Sequence, residues 1–455
     1  MHENDVLLDK YCNLINNLLG LQKGFVQIAD RQESLSSRSS GLHDPPPAVI
    51  NQIPIAREQM KQNRRLNILY SAVQGTYWMS YCVSVTFAVV FLLAHGSSNT
   101  EAGIVLSAGC LLGALLGVLL GALIDRHPAC TVPRLFPVMT AGQAMSLALM
   151  LILQPQGIVL GIIYSLYMAF FIAVGALDLK LYGDLSAGGD VNYGLARGMG
   201  SLAYVVASVS LGIIVKHFSA NILLYAGLLI CILEAVIHFI IFLRMPSASA
   251  KAVTERGTTL MRFLKGNGRY CLLLLGAVLL FVPHSLQASF LINIVRAVGG
   301  NEADMGLVDG FTAAVEIPVM LLYTVLARRL KHSRLLRISV VMLTFKILAM
   351  AAAKSIGGLY AASLLQMPSY ALYIVAVVPY AAMVTDPRDF AKAQSLINAM
   401  PTVGAVITGL MGGRLLDLLP VTQVLYIAAA VSALGSVFAL LGTGTAPDTA
   451  ELETV

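Results

Sequence analysis

Charged residues are scarce in this chain: they make up 12% of its 455 residues, about half the fraction typical of soluble domains. Hydrophobic residues make up 57%, and the mean hydropathy is +0.77. This composition excludes an ordinary soluble protein and predicts an integral membrane protein. The formal net charge of +6 comes from basic residues in loops, a pattern that reports membrane topology. We therefore expect no nucleic-acid partner.

Signatures of common enzyme and metal sites are missing as well. The six cysteines stand singly, mostly within apolar runs, without C-x-x-C or clustered His and Cys, so no disulfide framework and no metal site are indicated. The chain also lacks an H-E-x-x-H motif, a P-loop and a D-D-x-x-D motif. We expect neither an enzyme nor a bound cofactor.

What the sequence has instead is a series of apolar segments of about 20 residues, each long enough to cross about 30 Å of hydrocarbon. Twelve are expected, at 67–94, 101–124, 132–153, 156–182, 194–217, 220–243, 270–295, 304–327, 335–354, 357–385, 391–416 and 420–442. The longest internal loop, 244–269, is basic and divides them evenly. This pattern predicts an all-α integral membrane protein with two six-helix bundles, 67–243 and 270–442, that rock about a site at their interface.

The two ends of the chain differ from these spans. Residues 1–66 are predicted to be an arm that contains an amphipathic helix, with apolar residues four and three apart from Leu7 to Ile28, and a Ser- and Pro-rich linker. That helix suits either the bilayer surface or a partner helix. Residues 443–455 form a short tail. Basic residues concentrate in alternate loops, which predicts that both termini and the 244–269 loop lie on the cytoplasmic side of the cell membrane.

The most polar stretch within the spans runs from Asp178 to Tyr204. Charge at membrane depth is costly and indicates a function. Within this stretch Arg197 is followed by Gly200 and Ser201, and such small residues allow a helix to pack closely while the arginine points into an internal cavity. Arg197 fits either a substrate site or, with Asp178 or Asp190, a gate salt bridge near the cytoplasmic side.

The loop between the second and third spans carries a family motif. Gly121-x-Leu123-x-Asp125-Arg126 resembles the signature loop of the major facilitator superfamily, and twelve spans in two halves agree with it. The residues that follow lack the glycine and the basic residues usual in that family. The resemblance implies that Gly121, Asp125 and Arg126 act as a conformational latch. An ordinary solvated turn is the alternative.

Within that superfamily the stretch YGLARGMGS, residues 193–201, resembles the fifth-helix motif of the oligosaccharide:proton symporters, the lactose permease group, and of related nucleoside and phenylpropionate permeases. The resemblance implies that Arg197 binds the substrate together with a carboxylate, Asp178, and that Tyr204 stacks on a substrate ring. Residues 299–320 resemble the seventh-to-eighth-helix region of the same relatives.

Proton coupling needs other residues than those of lactose permease. Gln366 and Ser369 stand where that permease has a histidine and a glutamate, and Lys346 replaces its ninth-helix arginine. Glu316 and Glu234, each near the middle of a span, are therefore the coupling candidates.

Each candidate also has a structural interpretation. Glu316 could neutralise Lys346 as an inert pair. Glu234 shares a helix face with His238, so the two could titrate as a pair, or Glu234 could form a plain hydrogen bond between helices.

The first span adds hydrogen-bonding side chains at helical spacing. They are Gln74, Tyr77, Trp78 and Tyr81. Such a stripe serves either packing or the binding of a polyol or a ring.

These observations predict a secondary transporter that imports a small polar solute, such as a sugar, an oligosaccharide or a nucleoside, by alternating access and with protons. We expect it to act as a monomer in the lipid bilayer. The alternative is an efflux transporter for apolar drugs or metabolites, which would have a methionine-rich cavity. The 18 methionines of the chain leave that alternative open.

Overall fold

The computed structural model describes residues 52–127, 130–244 and 258–443. The expected amphipathic helix and its linker, residues 245–257 of the basic loop and nearly all of the tail lie outside the described residues.

The described residues form twelve long helical segments in chain order, some of which consist of two or more consecutive helices. The first six are α1 (Gln52–Tyr81, continued by Cys82–Thr86 and Ala88–Ala94), α2 (Asn99–Arg126), α3 (Val132–Leu153), α4 (Gly157–Gly188), α5 (Tyr193–His217) and α6 (Ile222–Arg244). The second six are α7 (Gly268–Ser289, continued by Leu291–Ala297), α8 (Glu302–Arg329), α9 (His332–Ala352), α10 (Ile356–Val384), α11 (Phe390–Leu418) and α12 (Val421–Gly442). We call α1 to α6 the first half and α7 to α12 the second half.

Most of these helices match the predicted spans to within a few residues. In the described part of the chain ten helices are long and apolar enough to cross a membrane, or eleven if the two parts of α1, which meet at a bend of 40°, form one span. The helix α8 has 28 residues, a length of about 42 Å at the usual rise per residue. The all-α membrane fold is therefore confirmed.

Two predicted boundaries fall inside helices. The helix α1 begins at Gln52, well before the expected start at 67, because Arg, Lys, Gln and Met in this stretch are good helix formers and Pro54 lies in the first turn, where proline is tolerated. The expected 244–269 linker contains a short helix, Leu260–Gly266. Its Phe263 is 2% exposed and meets the Tyr270 ring edge-on at 5.8 Å.

The buried apolar residues form three clusters, and their positions show on which side of the molecule the two halves are in contact. One cluster joins both halves, with Phe87 and Leu211 of the first and Phe290 and Met305 of the second. The other two clusters lie within residues 70–241 and within residues 263–439, so each belongs to one half. The halves therefore share a core on one side of the molecule and have separate cores on the other.

We call the first of these the closed side; it carries the loops 95–98, 218–221, 298–301 and 419–420. Here α5 packs on α8 and α2 packs on α11 through glycines that allow backbone contact. A Cβ atom on Gly306 would lie 2.3 Å from the Ser208 carbonyl oxygen, and one on Gly103 would lie 2.0 Å from the Gly409 carbonyl oxygen. The opposite, open side carries the loops 189–192, 330–331 and 385–389.

A carboxylate from α11 also caps α2 across the closed side. Asp417 accepts hydrogen bonds from the backbone N–H groups of Asn99 and Thr100 at 3.1 and 2.7 Å, and from the Thr100 hydroxyl at 2.6 Å. These N–H groups lie in the first turn of α2, where they have no partner within the helix. The cap therefore adds polar contacts between the halves to the apolar ones.

Candidate functional site

A cavity of about 400 Å³ lies between the two halves, a size within the usual range for small-molecule sites. Its lining combines aromatic rings with polar groups from both halves. Three breaks in helical geometry border it, at Cys82–Thr86, Met367–Ala371 and Thr408–Gly412, and each contributes a lining residue. Such π-type segments are frequent at functional sites.

The cavity brings together part of the predicted site. Six predicted residues line it: Tyr77, Trp78, Tyr81, Arg197, Tyr204 and Glu316. Four others are buried but do not line it: Gln74, Asp178, Glu234 and Lys346.

Arg197 lies on the indole ring of Trp78. The Asn192 side chain caps α5 by accepting the Leu195 N–H at 2.9 Å, which places Arg197 in the first turns of the helix. Its guanidinium carbon is 3.9 Å from the ring centre, and Nη1 donates to the Ser201 hydroxyl at 2.7 Å. A Cβ atom on Gly200 would lie 2.5 Å from the Trp78 ring, so glycine allows the indole to lie against α5. The stack fixes a planar cation at the cavity wall.

Asp178 reaches Arg197 only indirectly. It is 5% exposed and accepts a hydrogen bond from Gln74 Nε2 at 2.6 Å, while Gln74 Oε1 accepts from Trp78 Nε1 at 3.2 Å. The described residues contain no ion pair between Asp178 and Arg197, so the gate salt bridge considered as an alternative is not formed by these two residues in this state. The reason is that Asp178 is directed at α1, where Tyr70 also donates to it at 3.4 Å.

Gln366 lies between the expected partners Glu316 and Lys346. Lys346 has no solvent exposure and donates to Gln366 Oε1, and Gln366 Nε2 donates to Glu316 Oε1 at 2.6 Å. An amide carries both a donor and an acceptor, so it connects the two charges without direct contact. The direct structural pair of Glu316 with Lys346 is thus replaced by a chain of three side chains.

Glu234 is isolated from the charged groups. It is 1% exposed, and neither of its carboxyl oxygens has a hydrogen-bond partner among the described residues. His238 forms no hydrogen bond with it: the imidazole stacks on Phe136 with ring centres 4.1 Å apart, and its Nδ1 is 3.4 Å from the Thr140 hydroxyl. The described residues therefore contain neither a hydrogen bond between Glu234 and His238 nor one from the Glu234 side chain to another helix.

The expected latch residues connect helices of the same half. Asp125 Oδ1 is 2.6 Å from Lys180 Nζ, and the Asp125 side chain is 72% exposed. Lys180 also donates to the Gly121 carbonyl at 3.4 Å, whereas Arg126 ends α2. Because Lys180 belongs to α4, this exposed pair joins α2 to α4 and contributes little to stability.

The sequence interpretation missed Asp309, which lines the cavity. Its Oδ2 accepts hydrogen bonds from the Tyr204 hydroxyl and from the Ser208 hydroxyl, both at 2.7 Å. The available signal was an acid within an apolar span, two helical turns before Glu316. Two further aromatic groups were also missed, His284 and Tyr370, whose rings stack at 4.2 Å.

A comparison with known proteins identifies the family. The family model described as the MFS_1 like family matches residues 70–428. This chain belongs to the major facilitator superfamily. The MFS protein is 29% identical over 227 residues to a maltose permease of Geobacillus stearothermophilus, and the match covers 50% of this chain and 57% of the permease. It therefore spans little more than half the length of that relative.

Solved structures of MFS transporters share the fold. The nucleoside transporter NupG superposes with a TM-score of 0.70 at 15% identity, covering 84% of this chain and 98% of NupG. An auto-inhibited peptide transporter of the POT family superposes with a TM-score of 0.66 at 12% identity, covering 86% and 99%. The predicted fold class and family are thus confirmed, and this chain is a multi-pass membrane protein of the major facilitator superfamily.

Proposed function

We propose that this MFS transporter imports a small polar solute with rings and hydroxyl groups, of the sugar, oligosaccharide or nucleoside class, together with protons. One observation supports the proposal most directly. The same cavity is lined by the Arg197 guanidinium, stacked on Trp78 of the first half, and by the Glu316 carboxyl and Gln366 amide groups of the second half. The names of two relatives, a maltose permease and a nucleoside transporter, support the same solute classes.

The two walls of the cavity supply complementary groups. A guanidinium has five N–H donors, and among the described residues one of them goes to Ser201, so the others can bind substrate hydroxyls. Glu316 and Gln366 offer acceptors from the second half. The rings of Tyr204 and Trp78 offer faces on which a sugar or a base can stack. A polar ring compound can therefore form hydrogen bonds with groups of both halves and stack on an aromatic ring at the same time.

Alternating access would follow from the closed and open sides. The loops of the open side adjoin basic residues, including Arg328, Arg329, Arg388 and Lys392. Because basic loops prefer the cytoplasm, we infer that the open side faces inward and that both termini and the 244–269 loop are cytoplasmic. Import then requires α5 to separate from α8, and α2 from α11, while the open side closes.

Proton coupling is supported by two carboxyl groups within the spans, of which Glu234 is buried and Glu316, at the cavity, is partly buried. Glu234 has no hydrogen-bond partner among the described residues, and Glu316 has one, the Gln366 amide. Burial with so few partners disfavours the charged form of a carboxyl. We infer that at least one of them carries the coupling proton, and that Lys346 responds to the charge of Glu316 through Gln366.

A reconstitution experiment tests the proposal. Liposomes that contain the protein and a pH-sensitive dye receive maltose, uridine or an aromatic acid in turn, with an inside-negative potential imposed. We expect one solute class to cause proton influx, Arg197→Lys to abolish it, and Arg296→Lys, in a surface pair with Glu302, to retain it. Solute uptake without proton movement would refute the coupling, and no uptake of any class would refute the choice of solutes.

The efflux alternative has less support. Met168 is the one methionine among the lining residues of the described cavity, whereas a pump for apolar drugs would have a methionine-rich surface. An uphill export of hydrophobic dyes from the same liposomes would reverse this preference.

A further inference from the structure

We propose that Asp309 is a positioning residue that holds Tyr204 in place and makes its position depend on the contact between the two halves. Tyr204 and Ser208 lie on α5 in the first half, and Asp309 lies on α8 in the second. Both hydroxyl groups donate to the same carboxylate oxygen, Oδ2, at 2.7 Å. The two hydrogen bonds therefore exist only while α5 and α8 are in contact.

Glycines bring the two helices close enough for these bonds. A Cβ atom on Gly306, one turn before Asp309, would lie 2.3 Å from the Ser208 carbonyl oxygen, and one on Gly212 would lie 2.9 Å from Gly306 Cα. Ser208 Oγ is also 3.0 Å from the Gly306 carbonyl oxygen. Since aspartate has a short side chain, a separation of α5 from α8 by a few ångströms would break both of its hydroxyl contacts.

Among the described residues, no cation forms an ion pair with the Asp309 carboxylate. Its hydrogen bonds in the described residues come from two hydroxyl groups, and the nearby Lys346 donates to Gln366. Hydroxyl donors to an ionised oxygen make short, charge-assisted bonds. Replacing Asp309 by asparagine therefore weakens the hold on Tyr204 without leaving a cation unpaired.

Tyr204 is the residue through which Asp309 would affect the cavity. Its hydroxyl is also 2.8 Å from the Thr86 hydroxyl, and its ring meets the Trp78 ring edge-on at 6.3 Å. The Trp78 ring in turn stacks against the Arg197 guanidinium. Holding the Tyr204 hydroxyl thus fixes one aromatic face relative to the guanidinium. The effect on solute binding rests on the proposed function, whereas the effect on Tyr204 does not.

The sole tryptophan of the chain, Trp78, provides a test that needs no solute. We compare Trp78 emission and its quenching by acrylamide in the wild type, Asp309→Asn, Tyr204→Phe and the double variant, all without solute. We expect Asp309→Asn and Tyr204→Phe to produce similar changes, and the double variant to show no further change. Ser208→Ala, which removes the other donor to Oδ2, should leave the emission close to that of the wild type.

The contact between halves is measured in parallel by the distance between spin labels on Ser219→Cys and Ala297→Cys, on the closed side, in a background without the native cysteines. Asp309→Asn should increase the population of long distances at least twofold, and Asp309→Glu, which keeps the charge, should restore part of the short distances. Elution profile and thermal unfolding check that each variant folds.

The outcomes separate this proposal from the proposed function. If Asp309→Asn and Tyr204→Phe have additive effects on Trp78, or if Asp309→Asn leaves both Trp78 and the distances unchanged, Asp309 does not position Tyr204, even in a protein that transports. If the Trp78 changes occur as expected but no solute is bound, the positioning role stands and the choice of solute fails. Where a solute binds, Asp309→Asn should weaken its affinity by about tenfold, and Asp309→Asn in the Tyr204→Phe background should not weaken it further.

Discussion

The guanidinium of Arg197 lies 3.9 Å from the centre of the Trp78 ring, and this stack is the most specific feature of the cavity between the halves. The indole N–H of Trp78 donates a hydrogen bond to the Gln74 side chain, and the Gln74 amide donates one to Asp178. The position of the Arg197 guanidinium thus depends on two buried side chains, Gln74 and Asp178, that form no hydrogen bond with it in the described residues.

Arg197→Lys should abolish solute binding while the yield of folded protein stays near normal. Lysine is a point charge and cannot offer a planar fork of donors or stack on an indole in the same way. Each charge-assisted hydrogen bond lost is worth roughly 1.5 to 3 kcal/mol, so affinity should fall by about tenfold to a hundredfold or more. Isothermal titration of the purified variant measures this loss. Normal affinity combined with a block in alternation between states would instead assign Arg197 to a gate.

Gln74→Leu should lower the thermal stability of the protein. The substitution removes the shorter of the two hydrogen bonds to Asp178, and the loss of a partner for a buried polar group costs about 1 to 3 kcal/mol. Unfolding in detergent, followed by circular dichroism, measures the change.

The matched control for Gln74→Leu is the double variant with Asp178→Leu. It also removes the buried carboxylate and should recover part of the lost stability, because only the neutral Tyr70 hydroxyl and Trp78 N–H are then left without their partners. A double variant as unstable as the single one would show that packing, and not the unpaired carboxylate, causes the loss.

Gly306→Ala should impair closure of the closed side. The added Cβ would lie 2.3 Å from a backbone oxygen of α5, a distance that only a shift of the helices can relieve. We expect slower transport and a larger population with the closed side open, measured by reaction of a cysteine at Val209 with a membrane-impermeant reagent. Gly198→Ala is the control because nothing lies within 4 Å of its added Cβ. Equal behaviour of the two variants would contradict the role of the glycine contact.

Acidification should release the end of the basic loop from α11. The Asp389 carboxylate accepts hydrogen bonds from Lys392 at 2.7 Å and from the Thr258 hydroxyl at 2.7 Å, and the Lys392 bond above all holds the pKa of Asp389 below its usual value. A lowered pKa in the folded state means that the contact stabilises above the unfolded pKa and is lost as pH falls through the folded one.

Hydrogen exchange of residues 258–266 measures that release. Protection should be constant at neutral pH and should fall below about pH 4, in the range where aspartate titrates. Asp389→Asn should show reduced protection already at pH 7. If protection in this variant equals that of the wild type at pH 7, the Asp389 contacts do not hold the loop end.

Several features of the site followed from local sequence patterns. Hydropathy and charge are properties of short segments, so they predicted twelve spans and the all-α membrane fold, whereas the family was predicted from the resemblance of residues 121–126 and 193–201 to known motifs. Polar side chains within apolar spans selected Arg197, Trp78 and Glu316 as candidate site residues, and the resemblance to the lactose permease group added Tyr204. They could do so because a polar side chain within an apolar span has few stable positions other than the protein interior.

The hydrogen-bond partners of these residues could not be predicted from the sequence and are known only from the tertiary structure. The insertion of Gln366 between Glu316 and Lys346, and the path from Asp178 through Gln74, depend on distances between helices that are far apart in sequence. Asp309 was missed for the same reason, since its donors lie about a hundred residues away on α5. The sequence determined which side chains enter the membrane interior, because burial of polar groups has a local cost. Only the packing of helices decided which of them meet, because hydrogen bonds require contacts within about 3 Å.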